Sequence, residues 1–356
     1  MRPRVLTDPF QLHRGVMCVV AHLHLAARRC RFASAFSRIR APMSDRLLRF
    51  ASLASLAVVA LAVLVVPTAA HAWGPLAHLG FSAQALEQLG TVPGPTRSLL
   101  SEFANEFLYG SLAADIVVGK NLARFVYHCH NWKVGFNVRR AASTAAEEAF
   151  VLGFLAHLAA DTIAHNYYVP YQIVSSFHRP RTGHAYWELR YDQRQDRELS
   201  RVARRVSARA YRDHDALLER AMPHASVIPF PLSKGLFGSL LASARVGRFQ
   251  TLSRGLLARH RHLTLDDDVV EETNALAVQA ILGLLREGER CEAARADATG
   301  GRNLLLAGRL RRELARRHRR LPLSLARELS IEARESFRRG IQGALVLPPT
   351  LSRMAA

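Results

Sequence analysis

Beyond residue 72 the apolar residues recur three and four positions apart over long stretches. Alternating apolar and β-branched runs, the mark of a half-buried strand, are almost absent. This period predicts an all-α chain with helices over 76–90, 96–118, 141–168, 196–222, 234–260, 266–288, 303–319 and 322–340. Thr144-x-x-Glu147 has the form of a capping box near the start of the third. Pro223, Pro229 and Pro231, with Gly235 close behind, predict a break between a chemical half, 73–230, and a helical, Arg-rich region, 231–356. In that region Leu310, Leu314 and Leu321 draw a narrow apolar stripe through the basic run Arg309–Arg320. Its expected role is a packed helix with a solvated cationic face; contact with anionic lipid or nucleic acid is the alternative.

The N-terminal pattern is different. Arg46 and Arg49 precede an uncharged run from Phe50 to Pro67, and Ala70-x-Ala72 then supplies the small-residue pair of a signal-peptidase site. The run ends at proline short of the roughly 20 apolar residues that span a bilayer. Cleavage before Trp73 and export to the periplasm or the extracellular space are therefore expected; an uncleaved chain would be membrane-anchored. Translation from Met43 would give a signal over 43–72, leaving the Arg-rich stretch 1–42 untranslated and outside the fold.

Composition narrows the class. The chain has 356 residues, 49% of them apolar, enough for a core and incompatible with disorder by composition. The formal charge is +20, and every basic residue except Lys120, Lys133 and Lys234 is arginine, a skew too general to identify a nucleic-acid binder. Without 1–72 the charge is +12 and two cysteines are left, Cys129 and Cys291, which either pair in an oxidising compartment or stay as thiols.

Candidate chemistry is concentrated before residue 190. His157, Asp161 and His165 follow one another at i, i+4 on an otherwise apolar helix and share one face. Burying two imidazoles and a carboxylate among Leu, Ile and Ala costs several kcal/mol unless a cation or hydrogen bonds compensate. His157 and His165 are about 12 Å apart along a helix, while zinc ligands lie about 2 Å from the metal, so one ion does not easily take both. Asp161, between them, has two oxygens with which to bridge. His184 and Glu188 form a further i, i+4 pair, Asp115 lies in an apolar segment, and His128 and His130 flank Cys129. Trp73 and His78 start the expected mature chain, where signal removal would expose an α-amine, a competent nitrogen ligand when neutral.

Together these residues resemble the zinc-dependent phospholipase C family, similar in fold and metal site to the single-strand-specific zinc nucleases. The resemblance covers about 73 to 190. It implies a multi-helix bundle, here with a helical C-terminal extension, and up to three Zn2+ ions. One would be held by Trp73 and His78 with Asp161. The second would take Asp115, His130, His157 and Asp161, with Asp161 bridging, and the third His165, His184 and Glu188. His128 is the alternative to His130. The Asp161 to His165 spacing is two residues shorter than in well-known members. Glu188 is phospholipase-like, whereas the short Trp73 to His78 spacing is nuclease-like.

The expected activity is phosphodiester hydrolysis by metal-activated hydroxide, with Asp115 as the catalytic carboxylate and phospholipid, or a membrane surface, as substrate. Single-stranded nucleic acid is the alternative substrate, and a metal-stapled, non-catalytic helical binding protein the third reading; no protein partner is legible. Structural zinc favours four closed protein ligands, whereas nine ligands over three ions leave positions open to water, which favours catalysis. Tyr167, Tyr168, Tyr186, Trp187 and Tyr191 lie near the ligands, as ordinary core or rim residues or as walls of a head-group pocket.

Overall fold

In the computed structural model, which describes residues 74–116, 128–178, 184–209, 211–223, 230–243, 265–317, 323–341, 345–349 and 351–352, every regular element is a helix. The expected leader and signal segment, 1–72, and Trp73 lie outside these residues, as does Leu321. Among the described residues no helix is long and apolar enough to cross a membrane.

The first half runs α1 (Pro75–Glu87), α2 (Gly94–Glu102), α3 (Ala104–Ile116), α4 (Trp132–Ala141) and α5 (Ala145–Ile163). A wider π turn, Ala164–Tyr168, leads into α6 (Val169–Ser175), and α7 (His184–Asp192), α8 (Arg197–Ala208) and α9 (Arg212–Ala221) follow. The remainder contains α10 (Phe230–Ser243), α11 (Asp267–Glu287), α12 (Gly301–Arg317) and α13 (Leu323–Arg339).

Local chemistry explains the starts. Pro75 stands at the first turn of α1, where a missing N–H costs nothing. Asn131 caps α4 by accepting from the Lys133 N–H. The capping box forms in full: Thr144 accepts from the Glu147 N–H, and the Glu147 carboxylate accepts from the Thr144 N–H.

Three expected helices are divided or shortened. The stretch 96–118 is two helices meeting at Phe103, and 196–222 is two, α8 and α9. In both, the apolar spacing continues across a short break, so the period alone does not show the change of direction. The stretch 141–168 starts late, because its cap is Thr144, and ends in the π turn. Helices α4, α6 and α7 were not among the expected elements; each is ten residues or shorter, too short for a clear period.

Helix α5 is the axis of the fold, buried without interruption from Ala149 to Ile163. It crosses α3 at glycines. A Cβ on Gly153 would lie 1.9 Å from the Phe107 carbonyl oxygen, and one on Gly110 would lie 1.9 Å from that of Phe150. Backbone therefore meets backbone, which brings the end of α3 against the middle of α5. Helices α1, α4 and α11 also pack on α5, while α12 and α13 cover α6 and the π turn. There Ile163, Tyr167, Val174 and Phe177 join Leu310, Leu314, Leu329 and Phe337 in a second apolar cluster. Leu310 and Leu314 face inward while Arg309, Arg312, Arg316 and Arg317 are exposed, the expected packed helix with a cationic face. Cys129 and Cys291 are both buried and are not joined in a disulfide, so the pairing alternative is not realised.

Candidate metal centre

The α3–α5 crossing decides what faces what. Asp115 is one residue from the end of α3, and His157 and Asp161 sit on the adjoining turns of α5. The turn after residue 128 brings in His130, and α1 brings in His78. His130 Nε2 lies 3.2 Å from Asp161 Oδ2 and 3.6 Å from Asp115 Oδ1. His157 Nε2 is 3.5 Å from Asp161 Oδ2, 3.8 Å from Asp115 Oδ1 and 2.9 Å from His130 Nε2. On the other side of the same carboxylate, His78 Nε2 is 3.3 Å from Asp161 Oδ1. Asp161 thus has one oxygen toward His78 and the other toward His130 and His157.

A separate group forms beyond the π turn. That turn widens the helix by one residue per turn and is a feature often found at functional sites. His165, within it, joins His184 and Glu188 of α7, with His184 Nε2 2.7 Å from Glu188 Oε1. In each of the triads His130/His157/Asp161, His78/Asp115/His157 and His165/His184/Glu188, donor atoms lie within 4.8 Å of one another. His128, Cys129 and His130 meet the same criterion. His128, however, uses Nδ1 to accept the His130 N–H at 3.1 Å, so it is His130 whose Nε2 faces the carboxylates.

Hydrogen bonds settle the histidine tautomers. His157 Nδ1 lies 2.8 Å from the Ser111 carbonyl, and His165 Nδ1 contacts the Ala298 carbonyl. A carbonyl only accepts, so both Nδ1 atoms carry hydrogen, and in the neutral rings Nε2 presents its lone pair to the cluster.

Electrostatics agree with a cation-binding arrangement. Burial is the strongest influence on Asp161 and opposes its ionisation, yet the positive charge of His157 and His130 when protonated, with hydrogen bonds from His157 and His78, outweighs it and holds the carboxyl of the metal-free site well below the ordinary range. Burial, followed by neighbouring His157, pushes His78 below its ordinary value. Burial also pulls on His184, but Glu188 outweighs it and leaves the ring above its ordinary value.

The unmet polar atoms test whether a metal fits. Both ring nitrogens of His78, both carboxylate oxygens of Asp161, His184 Nε2 and Glu188 Oε1 are buried and make no well-aligned hydrogen bond, although the ion-pair approaches above bring several of them together. Leaving so many polar atoms unsatisfied costs several kcal/mol. Imidazole nitrogens and carboxylate oxygens gathered in this way are the donor set of zinc. The residues fit the ion.

Some of the surroundings were not expected. Asp192, four residues after Glu188 on α7, accepts the Ala77 N–H at 2.8 Å and the Leu76 N–H at 3.4 Å, so it anchors the first turn of α1. A Cβ on Gly74 would collide with that carboxylate. Its i, i+4 relation to Glu188 was the available signal. The Ser111 and Ala298 carbonyls left none, because any residue supplies a carbonyl. The aromatic residues are core: Tyr167, Tyr168, Trp187 and Tyr191 are fully buried, with the Tyr168 hydroxyl donating to the Trp187 carbonyl at 3.0 Å, and only Tyr186 is partly exposed.

A family model described as zinc dependent phospholipase C matches residues 77–223. It bears out the resemblance and spans the described site residues from His78 to Glu188. No curated protein and no solved structure matches the chain.

Proposed function

Taking residues 77–223 as a zinc-dependent phospholipase C region, we propose that the chain is an exported zinc hydrolase that cleaves the phosphodiester of a phospholipid. The observation that carries this reading is the gathering of buried nitrogen and oxygen atoms of His78, Asp161, His184 and Glu188 that lack well-aligned hydrogen bonds, a set whose chemistry suits zinc. Trp73 would add its α-amine after signal cleavage. Zinc in such a site supplies Lewis acidity, lowers the pKa of a water and offsets charge on phosphate oxygens.

The protein's own groups divide the work. Asp161 is wholly buried, whereas the Asp115 side chain keeps 8% exposure, so Asp115 is the carboxylate that reaches the solvent side. There it orients the attacking water and takes its proton. His157 and His165, each held through Nδ1 by a backbone carbonyl, keep the donor atoms in place. The apolar wall of α5 limits water around them. Helices and loops make any membrane contact.

The test uses protein processed to Trp73 and loaded with zinc, presented with phosphatidylcholine vesicles and, separately, single-stranded DNA. Release of phosphocholine is expected, abolished by chelation and restored by zinc. Asp115→Asn should slow it by about 10²–10⁴-fold. Cleavage of DNA instead would assign the site to nuclease chemistry, and failure on both with zinc bound would contradict a phosphodiesterase.

A further inference from the structure

The family match ends at residue 223, yet one of the bonds that orients His165 comes from far beyond it. The segment between α11 and α12 passes over the π turn. His165 Nδ1 donates to the Ala298 carbonyl. The Asn166 amide donates to the Asp297 carbonyl at 2.8 Å, and Trp132 Nε1 donates to the Ala296 carbonyl at 3.0 Å. From the start of α12, Asn303 Nδ2 donates back to Asn166 Oδ1 at 3.0 Å.

The segment is built to sit this close. Gly300 has φ +56°, a conformation that favours glycine, and a Cβ there would lie 2.4 Å from His165 Cβ and 2.4 Å from its carbonyl oxygen. Asp297 braces the turn internally by accepting from the Thr299 N–H at 2.9 Å and the Thr299 hydroxyl at 2.8 Å. Three successive backbone carbonyls, 296 to 298, therefore point at Trp132, Asn166 and His165, and the glycine lets the chain lie flat on the histidine.

We propose that the strap 296–303 is a positioning element of the His165/His184/Glu188 metal group, so that the chain beyond the family match completes this site. By accepting from Nδ1, Ala298 makes Nε2 the lone-pair nitrogen of the neutral ring and fixes its angle toward His184 and Glu188. Asn303 and Asn166 hold the π turn against the strap. Partners of this kind outside the ligand sphere typically change metal affinity by about 10–100-fold.

This inference rests on the zinc reading above but not on any substrate. The test titrates zinc into metal-free wild type, Gly300→Ala and Asn303→Ala, alone and in a His184→Ala background, following stepwise affinities and helical circular dichroism. Both variants should weaken one zinc by about tenfold or more and leave the remaining affinities and the helicity unchanged. In the His184→Ala background neither should weaken zinc further. Should Gly300→Ala fail to fold, Asn303→Ala, which removes only an amide, decides. Unchanged affinities in wild-type background, or equal weakening of every zinc, would overturn the strap alone; a wild type that takes up no zinc would overturn the reading beneath it.

Discussion

The ring of His78 on α1 stacks on that of His157 on α5, with centroids 3.6 Å apart and planes 13° from parallel. Two imidazolium rings so placed and buried would repel strongly, so the two are not both charged, and binding metal takes each ring in its neutral form. The stack also joins the start of the described chain to its central helix. Asp161 lies beside both rings.

Because the two oxygens of Asp161 face different histidines, Asp161→Asn should impair two zinc ions together. Asp115 lies 3.6 Å from His130 Nε2 and 3.8 Å from His157 Nε2, and its replacement by Asn should affect the ion that those two histidines hold. Zinc stoichiometry after dialysis at fixed free zinc distinguishes these outcomes. Loss of a single ion from Asp161→Asn would show that no bridge exists.

Gly153→Ala should lower stability by about 2–3 kcal/mol and zinc affinity with it. Its methyl would meet a backbone carbonyl, which no rotamer change relieves, and separating α3 from α5 moves Asp115 away from His157. Urea unfolding of the metal-free protein and a zinc titration check the two effects. Wild-type values in both would mean that the helices do not cross at this glycine.

Much of the candidate site was legible because a helix period places His157, Asp161 and His165 on one side of the expected 141–168 helix, and apolar neighbours make their burial costly. The division into two groups was partly legible, since eight residues of helix separate His157 from His165. The π turn that carries His165 over to α7 has no sequence mark; its residues fit an ordinary helix equally well. The Gly110–Gly153 crossing was hidden for another reason. A glycine in a helix signals close approach only when the partner helix is known. Contacts through backbone carbonyls, such as those of Ser111 and Ala298, are independent of side-chain identity and appear only in the fold.

Asp192 gives the clearest pH dependence. The residue keeps some exposure, but its carboxylate is enclosed at the first turn of α1. Burial raises it from 3.8 to about 7, against the opposing pull of the Ala77 and Leu76 N–H groups. Between these values the folded chain binds more protons than the unfolded one. This group's stability is therefore complete below about pH 4 and is lost as pH rises through 7, by up to about 4 kcal/mol. In metal-free protein, the stability of Asp192→Asn minus that of wild type should increase from pH 4 to 7. A difference that stays flat would show an ordinary, solvated carboxyl.

The most direct measurement is anomalous scattering at the zinc edge from crystals of the chain processed to Trp73 and grown with zinc. Two peaks are predicted within the His78, Asp115, His130, His157 and Asp161 group, on either side of Asp161, and a third among His165, His184 and Glu188. An absence of peaks at these residues, with zinc bound elsewhere or nowhere, would contradict the account.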